Sequence, residues 1–391
     1  MNSIMNLREL MSRNLRQSGI LIALLAIVAL FSVLNSNFLS PGNLTNIVLQ
    51  YSYILILAIG MMIVIIGGHI DLSVGSLLAL TGAVSAVLVI KNGFPWWVGV
   101  LAAIGVGILA GVWQGFWVAV VGIPAFIVTL GGMLLFRGLT YQVLSNVSLS
   151  PFGGPYYDIA NGFFNGVLGG NGFDLLTVII FAIAVAGWIV MQWRERLAAL
   201  RYEQPVAATP LFVLKLVLVA VIVMAFAYQL SRSRGLPFVL IVLAVLIMTY
   251  SVVMQRTTFG RHVYAIGGNL SAALLSGVKV KRDNFLIMVN MGLLTGVAGV
   301  VYSARMNGAQ PGAGNMFELD AIAACFIGGA AITGGVGRIT GAMIGGLIMA
   351  IMSNGMQLMG VSTSMQQVVK GLVLLLAVAF DVYNKRRAGG K

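Results

Sequence analysis

Residues 46–66 read NIVLQYSYILILAIGMMIVII, residues 67–76 read GGHIDLSVGS, and residues 77–90 read LLALTGAVSAVLVI. Two apolar runs, 46–66 and 72–90, are each about long enough to cross the hydrocarbon core as a helix. Between them stand two glycines, then His69, Asp71 and Ser73. A carboxylate near a membrane interior is expensive and turns toward protein or water. A broken helix at that depth is tolerated only inside protein or along a water-lined cavity. Two readings of the break stay open. It is a substrate or gate element, or it is a structural turn in which Asp71 caps the next helix.

The pattern repeats outward along all 391 residues. Apolar stretches fall near 18–34, 46–66, 72–90, 97–121, 124–144, 174–193, 212–230, 237–254, 284–304, 317–335, 338–355 and 366–384. The chain is 59% hydrophobic and only 8% charged, against about 25% charged in a soluble domain. A water-soluble fold could not hide that much apolar surface, so the expected fold class is an all-α polytopic membrane protein with ten to twelve spans, twelve being the preferred count.

The formal net charge is +13. Its distribution argues for topology rather than for nucleic acid, because the cations cluster between apolar runs. Arg8, Arg13 and Arg16 form one cluster; Arg194, Arg196 and Arg201 a second; Arg256, Arg261, Lys279, Lys281 and Arg282 a third; Lys385, Arg386, Arg387 and Lys391 a fourth. With twelve spans all four fall on one side, which the positive-inside rule makes cytoplasmic, together with both termini. The run 20–33 after the first cluster lacks an A-x-A site and reads as an uncleaved first span.

Other features have local explanations. Gly107, Gly111 and Gly115, and again Gly337, Gly341 and Gly345, place small residues on one helix face for close packing. Glu318 and Asp320 open the 317–335 stretch, where carboxylates suit the positive end of a helix dipole. Arg137 and Arg338 border apolar runs and can snorkel or pair. Trp113 and Trp117 lie a turn apart around Gln114; they read as an interfacial aromatic pair or as a stacking-and-amide site for a sugar. The segment 145–173, rich in Gly, Asn, Pro and aromatics, reads as an ordered extracytoplasmic (periplasmic) loop or short helices, either a docking element or a simple connection. Cys325 reads as a small buried residue; one cysteine allows no disulfide within the chain. There is no Walker A, H-E-x-x-H or G-x-S-x-G sequence, and two histidines with one cysteine make no metal cluster. The chain is therefore expected to be no enzyme and to bind no metal or cofactor itself.

Several segments together resemble the permeases of ribose/xylose-type ABC importers. They are NFLSPGNLTNIVLQ, GGHIDLSVGSLLALTG, AFIVTLGGMLLFRG, GRHVYAIGGNLSAALLSGVKV, ELDAIAACFIGGAAITGGVG and KGLVLLLAVAFDVYNKRR, in that order. The likeness covers about 35–150 and 236–387 of a single membrane domain spanning 1–391. The stretch 174–230 resembles a two-span insertion relative to the shortest ribose-type members, and its length is more similar to xylose and multiple-monosaccharide permeases.

The resemblance implies a fold like the type II importers, in an inner membrane of a bacterium. It implies that the cytoplasmic loop 255–283 couples the chain to an ATPase through Gly260, Arg261, Ala265, Gly267, Asn269, Ala272, Ala273, Ser276 and Gly277. Candidate pathway or gate residues are His69, Asp71, Ser73, Trp113, Gln114, Trp117, Phe126, Glu318 and Asp320. The implied partners are a second copy of the permease, an ABC ATPase subunit carrying ATP and Mg, a periplasmic sugar-binding protein and membrane lipid, with no nucleic acid. The implied cargo is a monosaccharide such as xylose, arabinose or galactose. The alternatives are a branched-chain amino-acid permease of the wider superfamily and an ion-coupled secondary transporter, which would need buried carboxylates and paired broken helices.

Overall fold

The computed structural model describes residues 15–204, 206 and 208–389. Arg8 and Arg13 of the first basic cluster, and Lys391 of the last, lie outside the described residues. Fifteen helices account for most of the chain: α1 (Leu15–Leu34), α2 (Pro41–Ile66), α3 (Val74–Ala86), α4 (Trp96–Gly115), α5 (Ala125–Leu144), α6 (Gly154–Asn161), α7 (Leu175–Arg201), α8 (Thr209–Ser233), α9 (Phe238–Arg256), α10 (Thr258–Gly268), α11 (Leu270–Leu275), α12 (Val280–Met306), α13 (Phe317–Ile327), α14 (Ile339–Leu358) and α15 (Thr363–Gly389). Two-residue strands β1 (Phe163–Phe164) and β2 (Leu236–Pro237) pair antiparallel. Among the described residues, nine helices are long and apolar enough to cross a membrane, and Ile22–Leu34 and Thr363–Leu376 are shorter apolar stretches. The all-α polytopic expectation holds.

The chain forms two compact units. Among the described residues, the first joins 15–46 to 163–237. In it α7 packs along α8, and both helices are apolar on nearly every face. Asp174 caps α7: its Oδ2 accepts from the Thr177 N–H at 2.9 Å and its Oδ1 from the Gly166 N–H at 3.0 Å. These two long helices occupy the 174–230 stretch.

The second unit, 47–162 and 238–389, holds the elements of the candidate site. At its centre, α2 buries 89% of its most apolar window. The burial runs all round the helix, from Ile54 through Ile66. Only 28% of the corresponding window of α4 is buried, so α4 presents one face inward and the other to the membrane. The inward face carries Gly107, Gly111 and Gly115, and it meets α12 backbone to backbone. A Cβ on Gly111 would stand 2.6 Å from the Met288 carbonyl oxygen and 2.8 Å from Val289 Cα; one on Gly296 would stand 2.9 Å from Ile104 Cα. Lipid gives helices no hydrophobic reason to associate, so such close van der Waals contact supplies the attraction. The packing role expected of this run is the one observed.

The segment 145–162 is tied to the end of α12. Tyr156 stacks on Phe152 at 3.9 Å and shares a 2.9 Å hydrogen bond with Ser303. Asn307 Oδ1 accepts from the Phe152 N–H at 3.0 Å.

One expected span is corrected. The stretch 317–335 is not a full crossing: α13 stops at Ile327 after eleven residues. Gly329, Gly334 and Gly335 follow with positive φ, so the chain turns back and re-enters as α14. The left-handed backbone is open to glycine at no steric cost, and two glycine pairs in eight residues end the helix despite continuing hydrophobicity. Of the second glycine run, Gly341 and Gly345 seat α14 closely on this short helix, a Cβ on Gly345 standing 2.7 Å from Gly328 N, whereas Gly337 precedes α14 and packs on Met62 and Ile66 of α2.

Glycine spacing on α4 separates two outcomes. Gly111→Ala should lower stability by about 1–3 kcal/mol, the usual range for overpacking against atoms that cannot yield. Gly105→Ala, on the same helix with no atom within 4 Å of its added methyl, should be neutral or slightly stabilising. Thermal unfolding of the two variants in one detergent compares them; equal melting temperatures would refute the packing assignment.

Candidate functional site

The break after α2 is a hydrogen-bonded turn. His69 N donates to Val64 O at 3.0 Å, with Gly68 in the left-handed region at φ +82°. Asp71, 1% exposed, accepts on Oδ1 from the Ser73 N–H at 2.8 Å and from the Ser73 hydroxyl at 2.7 Å. Gln114 Nε2 of α4 then donates to Ser73 Oγ at 2.6 Å. Thr129 of α5 donates to the Ile70 carbonyl at 3.3 Å. Ser73, not Asp71, holds the capping position of α3; Asp71 acts two residues upstream and closes the turn. The break is therefore clamped by α4 and α5, which favours its structural reading without removing it from the pathway. Gln114 Oε1 and Trp117 Nε1 are buried without a hydrogen-bond partner among the described residues.

The expected coupling segment folds as two short helices, α10 and α11. Thr257 starts α10, accepting from the Gly260 N–H at 3.2 Å. Gly260 leaves no room for a side chain: a Cβ there would stand 2.6 Å from Met254 Cα. Asn269 has extended backbone and accepts from the Ala272 N–H at 3.0 Å, so it ends one helix and caps the next. Ala273 is buried, Gly277 turns the chain out with φ +79°, and Ala265, Ala272 and Ser276 line the same short segment. His262 and Asp283 meet at 2.9 Å, and Tyr264 donates to Gly337 O at 2.8 Å. Burial pushes the Tyr264 phenol above its ordinary value, with Arg338 pulling the other way. Leu270, Leu274 and Leu275 project from α11; Leu275 is 91% exposed.

These two sites, far apart in sequence, meet at their backbones. Gly335 N donates to Ile66 O at 2.8 Å, joining the turn before α14 to the last carbonyl of α2. A Cβ on Gly335 would stand 2.6 Å from Gly268 Cα, and one on Gly334 would stand 3.0 Å from Gly68 Cα. A Cβ on Gly267 would overlap Ile66 O. Three glycine pairs, 67–68, 267–268 and 334–335, thus form one junction between the break, the end of α10 and the entry to α14. The sequence contains the signal for this junction in those pairs, each closing an apolar run or a helix. Neither Gly334 and Gly335 nor the exposed leucines of α11 were among the expected site residues.

The remaining candidates divide. Glu318 and Asp320 do sit in the first turn of α13. Glu318 Oε2 packs at Gly75 of α3, while Asp320 pairs with Lys370 of α15 at 3.0 Å. Arg137 donates to the Pro311 carbonyl at 3.1 Å and also to that of Ala313. Trp113 is not brought together with Gln114: it projects outward and meets Phe136 edge-on at 5.9 Å, whereas Gln114 is buried. Trp113 and Trp117 meet edge-on at 6.4 Å. Phe126 is exposed at the start of α5. Cys325 is buried, its Sγ donating to Ala58 O at 3.4 Å.

Residues 43–378 match a family described as the permease component of the branched-chain amino acid transport system. The xylose transport system permease protein XylH of Haemophilus influenzae is 42% identical over 380 residues, 97% of this chain and 99% of that protein. XylH of Escherichia coli K12 is 40% identical over 389 residues, covering 97% and 95%. The ribose import permease protein RbsC of Escherichia coli K12 is 36% identical over 369 residues, covering 94% and 93%. No solved structure matches the chain.

The clamp at the break can be tested without any assay of activity. Ser73→Ala removes the hydroxyl that donates to Asp71 and accepts from Gln114, leaving two buried groups short of a partner. The expected cost is about 1–3 kcal/mol. Gln114→Leu combined with Ser73→Ala should cost less than the two single changes summed, because they share one bond. A thermal or denaturant double-mutant cycle in detergent reads the coupling; strict additivity would dissolve the network.

Proposed function

This chain belongs to that permease family, and from that premise we propose that it is the membrane subunit of an ATP-driven importer for a monosaccharide, a pentose such as xylose. The observation carrying the proposal is the 42% identity to a xylose permease from end to end of both chains. The family description names amino acids, but the near-full-length relatives named above are sugar permeases, and this favours sugar over amino-acid cargo.

The chain is a transport subunit, not an enzyme. ATP and Mg belong to a separate ATPase, and a periplasmic binding protein delivers the sugar. Two copies of the permease form the pathway, with the basic clusters and both termini cytoplasmic. Selectivity rests mainly with the binding protein, so the permease holds sugar weakly and lets it go.

Coupling enters through α10 and α11. The small residues of 260–277 let these helices approach a groove closely. Leu270, Leu274 and Leu275 supply apolar anchors of the kind that dominate interfaces. Movement of α10 reaches the His69–Asp71 turn through the glycine junction, where backbone meets backbone and no flexible side chain absorbs the displacement. The pathway alternates its open side as the ATPase closes and opens.

Two variants separate docking from transmission. Leu275→Asp should abolish co-purification with the ATPase while leaving the melting temperature of the permease unchanged, since that side chain stands in solvent. Gly267→Ala should retain the ATPase yet slow sugar uptake at least tenfold. In proteoliposomes holding the whole transporter, uptake of xylose should need ATP and the binding protein and should persist when the proton gradient is collapsed. Uptake by the permease alone, driven by a proton gradient, would replace this proposal with the secondary-transport alternative.

A further inference from the structure

Beside α10 lies an open cleft of about 630 Å³. Its walls are the end of α9 (Met254, Gln255), one face of α10 (Arg261, Tyr264) and the turn into α14 that ends at Arg338. Arg261 and Arg338 are exposed, and neither guanidinium has an ion pair or hydrogen bond to a described residue. The lining elements α9, α10 and α14, and the turn 328–338, contain no Asp or Glu at all. Asp283, on the neighbouring α12, is already paired with His262. The cleft therefore carries two uncompensated positive charges, at a place where the first amides of α14 add a partial positive charge of their own.

Its depth is set by the helices that end there. α9 has 19 residues and α14 has 20, so each is about 30 Å long and fills the hydrocarbon core. Gln255 and Arg338 thus stand at the level of lipid headgroups. Ile241, Val245, Met248 and Val252 are all exposed and recur every three to four residues along α9, forming one apolar stripe that runs up to Gln255. An acyl chain can lie along that stripe while its headgroup occupies the cleft. A soluble anion or a carboxylate from a protein partner would have no use for the stripe.

We propose that this cleft binds the phosphate of an anionic phospholipid through Arg261 and Arg338, with the lipid tail against the exposed face of α9. Basic pockets between membrane helices on the cytoplasmic side hold such headgroups. The bound lipid would fasten the span ends α9 and α14 to α10. The proposal rests on the cytoplasmic placing of α10 given under the proposed function, and on the charge and depth of the cleft rather than on cargo.

The full-length permease, purified alone in detergent, tests it by native mass spectrometry. Dioleoylphosphatidylglycerol should be retained over dioleoylphosphatidylcholine by about 30-fold, the effect of two basic residues at about 1 kcal/mol each. The double variant Arg261→Gln/Arg338→Gln should bring the two lipids level, while Arg261→Lys/Arg338→Lys should keep a preference. Should the double glutamine variant not fold, each single glutamine variant is expected to lose about fivefold. Equal retention of the two lipids by the unaltered chain would overturn the proposal, as would undiminished phosphatidylglycerol binding in the glutamine variants. Displacement of the lipid by millimolar inorganic phosphate would make this a soluble-anion site and would also overturn it. Loss of ATPase association in the glutamine variants with lipid binding intact would reassign the two arginines to protein docking. Leu275→Asp, which tests the ATPase interface, should leave lipid retention unchanged.

Discussion

A buried backbone carbonyl left without a donor costs several kcal/mol, and the structure around the break is organised by that cost. Where α2 ends, Ile66 O finds its donor in the N–H of Gly335, 269 positions away in sequence, at 2.8 Å. For that bond to form, the turn before α14 must reach the end of α2, and Gly335 must take a left-handed backbone. The end of α10 is wedged into the same place, so Gly267 can carry no side chain there. One hydrogen bond thus obliges three glycine pairs to coincide. α13, ended by the glycine pairs 328–329 and 334–335, leaves Gly335 free to reach that carbonyl.

The second dependence is on close approach. α12 touches α4 through Gly292 and Gly296 against Gly107 and Gly111, and α14 touches α13 through Gly341 and Gly345. These seams replace the hydrophobic driving force that lipid cannot give. They also make rigid bodies, since contacts made by backbone atoms cannot relax by changing a rotamer. Rigid seams around a glycine junction transmit a small shift of one helix to its neighbours, which is what the proposed coupling through α10 requires. The clamp of Asp71 by Ser73, and of Ser73 by Gln114, extends that stiffness through the break itself.

Much of this was legible in residue order. Apolar run length located the spans that became α2 to α5, α7 to α9, α12 and α14, and the spacing of Gly107, Gly111 and Gly115 announced a packing seam. The match of the chain to permeases along nearly its whole length agrees with the motifs quoted for the resemblance. Other features were not legible, for identifiable reasons. Hydrophobicity continues straight through Gly328 to Val336, so composition alone makes a full span of 317–335; only the left-handed glycines interrupt it. Trp113 and Gln114 are neighbours in sequence, but adjacent residues on a helix point about 100° apart, and the partners on α3 and α5 decide which of them is buried. The outward leucines of α11 look like core residues in a string of letters, and become docking candidates only when their exposure is seen.

By itself, the sequence determined that this protein lives in a membrane, that it is helical throughout, and which family of transporters it belongs to. Those properties are local or additive: each apolar run selects lipid on its own, and each motif can be recognised without its neighbours. Tertiary structure alone decided that the His69–Asp71 break, the 260–277 helices and the 334–335 turn are one place, and that Arg261 and Arg338 share a cleft without a countercharge. Those properties are pairings. Which donor answers a stranded carbonyl, and which carboxylate comes near an arginine, depends on segments hundreds of residues apart arriving together, and no local pattern of residues encodes that arrival.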